Sequence, residues 1–343
     1  MDIVVCTAAD REAWENYVQH SRKATICHQF QWCTIIEQAY GHRAFYLMAR
    51  HAGTVVGILP LVLVQAPLLG TSLTSMPFLD YGGPCADTDE IARQLLSYAL
   101  RLGCKHKART VELRQVEPPT QPGSLRLDKV SMILDLSAGA ESVWRSLPPK
   151  VRNQVRKAEK SGLTENMGGG DLLDEFYHVF AVNMRDLGSP VHDRAFFAAL
   201  FAEFGERARL LVVRDGARTV GGLVCLAFKE TLLVPWASSL RQYFSKCPNN
   251  LLYWRAIEYG YALGCRQFDF GRSSIGSGTY DFKRQWGAEP RQLYWQVLTQ
   301  NGGHELSVSA SNPKYRAILA VWRRLPLTVT TMVGPRIRKY LTN

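Results

Sequence analysis

"LMARHAGTVVGILPLVL", residues 47–63, is matched later in the chain by "LVVRDGARTVGGLVCLA", residues 211–227. Each stretch reads as a strand, a polar turn containing glycine and a second strand, which is the pattern of a β-hairpin. A second match follows in the same order: "LLSYALRLGCKHKARTVELRQ" (95–115) and "AIEYGYALGCRQFDFGRSS" (256–274). Each predicts an amphipathic helix ending at Leu-Gly-Cys, a short basic turn and a strand, with the glycine as the helix stop. Two ordered matches at an offset of roughly 160 residues predict a duplicated unit of about one domain length. The expected fold is α/β (α+β): two tandem units, each a mostly antiparallel twisted sheet flanked by helices. The expected domains are 1–140, then 141–304 opened by a basic helix at 148–162, then a basic amphipathic tail at 305–343.

This pattern resembles the GCN5-related N-acetyltransferase (GNAT) fold, in which two central strands splay apart and an acyl donor lies in the gap. Acetyl-CoA users of that fold carry a glycine-rich R/Q-x-x-G-x-G/A loop whose amides hold a pyrophosphate at a helix N-terminus. The matching places here are "DYGGPCADTDEIARQLL" (80–96) and "LRQYFSKCPNNLLYWRAIEYG" (240–260). The second has Pro248, Asn249 and Asn250 before its helix instead of glycine, and the first lacks the R/Q-x-x lead. Neither half predicts the usual CoA loop.

The 343 residues carry a formal net charge of +11, with 46% hydrophobic and 21% charged residues. That balance is ordinary for a globular protein with a large core, and its basic excess favours an anionic partner. The eight cysteines form no C-x-x-C pair and no Cys/His metal spacing, so no metal site is expected, and reduced, buried thiols are. The longest apolar run, "VVGILPLVLV" (55–64), is too short to span a membrane, and the N-terminus has no basic leader. A cytoplasmic protein, peripheral at the inner membrane face, is the expected location.

Two segments carry candidate chemistry. "LPPKVRNQVRKAEKSGL" (147–163) predicts a helix that starts at its prolines and stops at Gly162. Arg152, Arg156 and Lys160 recur every four residues and form one stripe, broadened by Lys157, while Val151, Val155 and Ala158 face the other way. Such a one-signed face suits phosphate binding. In "GRSSIGSGTYDFKRQWGAEP" (271–290), Ser277 stands where a P-loop requires lysine, and the glycine spacing is not that of a dinucleotide fingerprint. Two readings stay open on spacing alone. Arg272, Tyr280, Phe282, Lys283 and Trp286 wall a pocket, or the segment is a hairpin with Phe and Trp in the core and a solvated Lys.

Taken together, the 147–163 helix, "YGGP" (81–84) and "TYDFKRQWG" (279–287) resemble the FemA/FemB/FemX family of tandem GNAT-like aminoacyltransferases. The stretches "DLGSPVHDRAFFAAL" (186–200) and "NPKYRAILAVWRRLPL" (312–327) are similar to the FemAB-type branch associated with exosortase (PEP-CTERM) exopolysaccharide systems. The resemblance implies an acyl or aminoacyl transferase acting on a peptidoglycan or exopolysaccharide precursor. Its donor would be aminoacyl-tRNA, or acyl-CoA as the alternative. Its acceptor would be an anionic nucleotide- or lipid-diphosphate-linked sugar. On that resemblance Lys283, beside Phe282, offsets charge on the tetrahedral intermediate, and Arg194 grips a diphosphate as a fork. Tyr81 and Asp87 flank the acceptor loop at Gly83 and Pro84, with Asp87 orienting the acceptor amine. A non-catalytic scaffold at the membrane surface is the alternative outside enzymology. Residues 312–343 hold an apolar stripe of Tyr315, Ile318, Leu319 and Trp322 edged by arginines, which predicts either an anionic-membrane contact or packing on the first domain.

Overall fold

The computed structural model describes residues 1–67, 69–299 and 313–342, with the side chains of 313–317 left aside. In chain order, the first stretch contains β1 (Asp2–Val5), α1 (Arg11–His20), α2 (Gln31–Tyr40), β2 (Arg43–His51) and β3 (Thr54–Ala66). It continues through β4 (Gly70–Thr74), β5 (Cys85–Ala86), α3 (Asp89–Lys105), β6 (Thr110–Gln115) and β7 (Ser124–Arg126). Then come β8 (Lys129–Asp135), α4 (Ala140–Ser146), α5 (Pro149–Lys160), β9 (Leu163–Gly168), α6 (Leu173–Leu187) and α7 (Arg194–Phe204). β10 (Ala208–Asp215), β11 (Arg218–Phe228), β12 (Thr231–Ser239), α8 (Pro248–Ala262), β13 (Gln267–Ser274), α9 (Gly278–Arg284) and β14 (Glu289–Gln292) follow. β15 (Tyr294–Thr299), α10 (Pro313–Trp322) and α11 (Leu327–Arg338) close the chain.

The chain divides into two compact units. The first holds a sheet of order β1-β2-β3-β4-β6-β15-β7, with β5 added on β3. Its core joins Phe45, Leu59 and Leu61 of the hairpin to Leu95, Ala99 and Leu102 of α3. The second holds a sheet of order β14-β8-β13-β12-β11-β10-β9, and its core joins Val151, Val155 and Ala158 of α5 to α8 and the central strands. Both sheets are mixed. Most neighbours are antiparallel, but β4 runs parallel to β6 and β12 parallel to β13. The repeat extends to a detail. Each expected hairpin has a register shift at the same place, at Ala49/Arg50 in β2 and at Val213/Arg214 in β10.

The unit boundaries differ from the expected ones. The break falls between Lys129 and Val130, because β8 pairs within the second sheet. β15, expected in the second domain, pairs with β6 from Tyr294↔Gln115 to Thr299↔Thr110 and belongs to the first unit. α10 and α11, expected on the first domain or on a membrane, belong to the second unit, where a Cβ on Gly334 would meet Val191. Residues 340–342 return to the first unit. The stretch 305–312 and the side chain of Tyr315 lie outside the described residues.

The helix stops also differ between the repeats. Gly264, at φ +80°, ends α8 as expected, and the Cys265 amide donates to the Gly260 carbonyl at 3.0 Å. In α3, Gly103 lies inside the helix and is buried. There the left-handed residue is Lys107, at φ +54°, and the Ala108 amide donates to the Gly103 carbonyl at 2.9 Å. Both are Schellman stops. The Leu-Gly-Cys match therefore marks a sequence likeness shifted by one helical turn from the structural one. α5 spans the expected helix, with Pro149 at its start and Gly162 at φ +75° beyond its end.

Candidate active site

The second unit's parallel pair opens at one peptide. β12 and β13 pair through Thr231↔Gln267, Leu232↔Phe268 and Leu233↔Asp269. Past that register β12 runs on to Ser239 along β11, while β13 runs on to Ser274. Asp269 is buried, and its Oδ1 accepts the Ser131 hydroxyl at 2.5 Å and the Gly271 amide at 2.8 Å. Gly271 sits at φ +71°, a backbone state that glycine adopts without a Cβ penalty. The acid thus turns the strand at the point where the two strands part.

Lys283 reaches the same glycine. α9 starts at Ser277, whose hydroxyl accepts the Tyr280 amide, and carries Lys283 on its buried side. Lys283 Nζ donates to the carbonyls of Gly271 and Arg272, each at 2.9 Å. The side chain is only 7% exposed. Neither open reading of this segment holds whole. It forms a helix rather than a hairpin arm, Trp286 is core as in the hairpin reading, and Lys283 is buried rather than solvated.

The other expected residues divide clearly. Arg272, Tyr280 and Phe282 are half-buried on this same β13–α9 segment, and Phe282 lies 5.4 Å from the Tyr253 ring. Burial pushes the Tyr253 phenol well above its ordinary pKa, so it is a neutral wall. Trp286, expected to wall a pocket, is fully buried in the unit's core. Its Nε1 and the Ser273 hydroxyl are buried with no hydrogen-bond partner among the described residues. On α5, Arg152 is half-buried and Arg156, Lys157 and Lys160 are exposed, opposite the buried face; the Arg156 guanidinium lies 5.6 Å from the Trp144 ring centre. Arg194 is exposed at the start of α7, where its Nε donates to Asp174 at 2.6 Å. A diphosphate would have to displace that carboxylate.

Tyr81 and Asp87 are residues of the first unit. Tyr81 is buried, and Asp87 is exposed and accepts the Tyr17 hydroxyl at 2.8 Å. The glycines beside Tyr81 are packing residues: a Cβ on Gly82 would lie 2.4 Å from Met76 Cγ, and one on Gly83 2.6 Å from Gln115 Cγ. The first unit's own parallel pair, β4 and β6, is closed by a buried cation. Arg114 donates to Glu112 at 2.8 Å, to the Leu79 carbonyl at 2.7 Å and to the Thr342 carbonyl at 2.7 Å, and lies 4.2 Å from the Trp295 ring centre.

Sequence reasoning missed two features. Asp269 is the strand counterpart of Glu112 in the first unit, and the Asp-x-Gly spacing is the local signal for its turn. The second is a cavity of about 600 Å³ in the second unit, lined by His178, Arg185, Asp186, Arg218 and Arg241 among others. Arg185 is paired with Asp186 at 2.8 Å, which leaves Arg218 and Arg241 as the cavity's cations without a carboxylate among the described residues. No local pattern links positions so far apart in sequence.

The segment before α8 has no glycine-rich CoA loop. Pro248 offers no amide, and the amides of Asn250 and Leu251 both donate to the Cys247 carbonyl, at 3.1 and 3.4 Å. The segment therefore departs from the usual cradle at Pro248, which has no amide, and at Asn250, whose amide is engaged. Among the described residues no cluster of three metal-capable side chains occurs, and no helix is long and apolar enough to cross a membrane.

Residues 149–284 match the model of the acetyltransferase (GNAT) domain family. FemX has a similar structure, with a TM-score of 0.68 at 13% identity over 87% of this chain and 98% of that one. The fold is that of tandem acetyltransferase domains. A tandem GNAT protein from the clavulanic acid biosynthesis pathway is similar at a TM-score of 0.56 and 16% identity, over 88% of this chain and 99% of that one. The C-terminal domain of a putative lysylphosphatidylglycerol synthetase from Agrobacterium fabrum is similar at 0.56 and 14% identity, over 84% and 92%. A search of curated proteins by sequence finds no match.

Proposed function

We propose that this protein is an acyl or aminoacyl transferase whose reaction centre lies where β12 and β13 part, with an envelope precursor of the peptidoglycan or exopolysaccharide class as acceptor. The observation that carries this reading is Lys283 held on the Gly271 and Arg272 carbonyls at the opening of the parallel pair. The acceptor's amine or hydroxyl attacks the donor's acyl carbon, its proton leaves to solvent or base, and the donor oxygen departs as the tetrahedral intermediate collapses. A fixed ammonium beside that intermediate offsets its oxyanion, and positioning of the two substrates supplies the rest of the rate.

Pro248 at the start of α8, where the usual CoA loop has glycine and free amides, favours aminoacyl-tRNA over acyl-CoA as donor. The resemblance to FemA/FemB/FemX proteins supports the same choice and the envelope acceptor, including its exosortase-linked form. The basic face of α5 and the cavity at Arg218 and Arg241 suit the phosphates of a tRNA or of a diphosphate-linked sugar. Ile318, Val321, Met332 and Ile337 are exposed on α10 and α11 beside Arg324 and Arg336, which suits a reversible contact with an anionic inner membrane face.

The deciding experiment incubates the purified protein with radiolabelled aminoacyl-tRNAs and with acyl-CoAs, alongside nucleotide- and lipid-linked envelope precursors. Transfer from aminoacyl-tRNA supports the reading, transfer from acyl-CoA replaces the donor, and transfer from neither overturns it.

A further inference from the structure

The first unit holds a second basic cavity that none of the transfer chemistry uses. It has a volume of about 410 Å³ and is lined by Arg43, Phe45, Tyr98, Arg101, Lys105 and His106, with no carboxylate in its lining. Arg43 approaches from the start of β2, while Arg101 and Lys105 come from the last turn and a half of α3. The Arg43 guanidinium lies 4.6 Å from the Phe45 ring centre, and Arg101 lies 5.4 Å from that of Tyr98. His106 lies 4.9 Å from Phe45. These ring contacts hold the cations in place without neutralising them. Among the described residues Arg43, Arg101 and Lys105 have no ion-pair partner, whereas Arg50, Arg93 and Arg114 of the same unit are paired with Asp10, Glu90 and Glu112.

The duplicated unit provides an internal control. The left-handed residues Lys107 and Gly264 end the two helices, so Arg101 is the counterpart of Glu258, and Lys105 of Ala262. The matching bulges make Phe45 the counterpart of Arg209. In the second unit that place is neutralised: Arg209 is paired with Glu206, and Glu258 with Arg255 at 2.8 Å. The helix C-terminus favours cations in the last turn of α3, but it does not account for Arg43 on a strand. Arg43 has a cationic counterpart in Arg207, so the two copies differ at the helix positions, where Arg101 and Lys105 stand against Glu258, paired with Arg255, and Ala262.

We infer that this cavity is a binding site for a phosphate-bearing ligand with two or more negative charges. Guanidinium forks match phosphate oxygens two at a time, and the half-buried Tyr98 ring borders the charges where a planar base would lie. The site stands independently of the transfer reaction, since it uses no residue assigned to it.

Calorimetric titration of the full chain with inorganic pyrophosphate at low salt tests the site, with ADP as a second arm. One saturable site, weakened at least about tenfold in R101Q/K105Q, supports it; that ratio is about 1.4 kcal/mol. Both substituted side chains are exposed, and a thermal melt confirms that the variant folds. ADP binding more tightly than pyrophosphate assigns the Tyr98 ring to a nucleotide base, and equal or weaker binding assigns the site to bare phosphate groups. Either supports the site. No saturable binding of either probe, or equal binding by the folded variant, overturns it.

Discussion

Lys283 Nζ donates to the Gly271 carbonyl at 2.9 Å, and the Gly271 amide donates to Asp269 at 2.8 Å. The two peptide groups flanking Gly271 are therefore held, one by a buried acid and the other by a buried cation, where β12 and β13 part. Substituting Lys283 removes two bonds to buried strand carbonyls as well as the cation. Lys283→Met should lower turnover by about 10²–10³-fold, the scale of one lost oxyanion donor. It should also lower stability by about 1–3 kcal/mol, because the carbonyls lose their partner. A solvated lysine would have had no such stability cost. Single-turnover rates and urea denaturation of the same variant separate the two effects, and unchanged turnover would remove Lys283 from the mechanism.

The Arg114–Glu112 pair makes a purely structural prediction. Arg114 is fully buried, so Glu112→Gln removes the carboxylate held against its charge. The expected cost is about 3–5 kcal/mol, the usual scale for breaking a buried pair on one side. Denaturant midpoints check it, and a loss below 1 kcal/mol would show that its other partners, the carbonyls of Leu79 and Thr342 among them, hold the guanidinium without Glu112.

His192 gives the protein a pH-dependent term. It is buried among Phe180, Phe196, Phe197 and Trp236, and its Nε2 accepts from Arg338 Nε at 3.1 Å. Burial first, and then the Arg338 charge, lower its pKa well below the ordinary 6.5. The unfolded chain therefore binds a proton that the folded chain refuses. The stability contributed by neutral His192 is fully present above pH 6.5 and is lost as pH falls from there toward the folded value, at about 1.4 kcal/mol per pH unit. Thermal melts between pH 7.5 and 5 should show that slope in the wild type and a shallower one in His192→Phe.

The α5 stripe should separate binding from folding. Val151, Val155 and Ala158 hold the helix, so R152E/R156E should change the melting temperature little beyond the loss of the Arg156–Trp144 contact. Binding of an anionic donor should weaken, and its salt dependence should flatten. Titration of tRNA at two ionic strengths checks this, and an unchanged salt slope would remove the stripe from the binding surface.

Membrane contact by the C-terminal helices is best tested without truncation, because Arg114 uses the Thr342 carbonyl. Arg324→Gln with Arg336→Gln should reduce co-sedimentation with anionic vesicles, each cation contributing about 1 kcal/mol near the surface. No sedimentation of the wild type at low salt would remove the membrane from the partners.

The sequence by itself determined the duplication, the hairpin-then-helix-then-strand order, the basic helix between its proline start and glycine stop, and the missing CoA loop. Those features are local: turn residues, periodicity and caps act within a few residues, so they are readable in order along the chain. The packing of Trp286, the burial of Lys283 and the Asp269–Gly271 turn were decided by tertiary structure, because each depends on which strand covers the segment. The exchange at β8 and β15 was likewise out of reach, since a strand's pattern fixes the faces it presents but not the sheet it joins. Both basic cavities also come from the fold. Arg43 and Arg101, or Arg218 and Arg241, converge only once separate elements are packed, and in sequence each is one ordinary surface cation among 41.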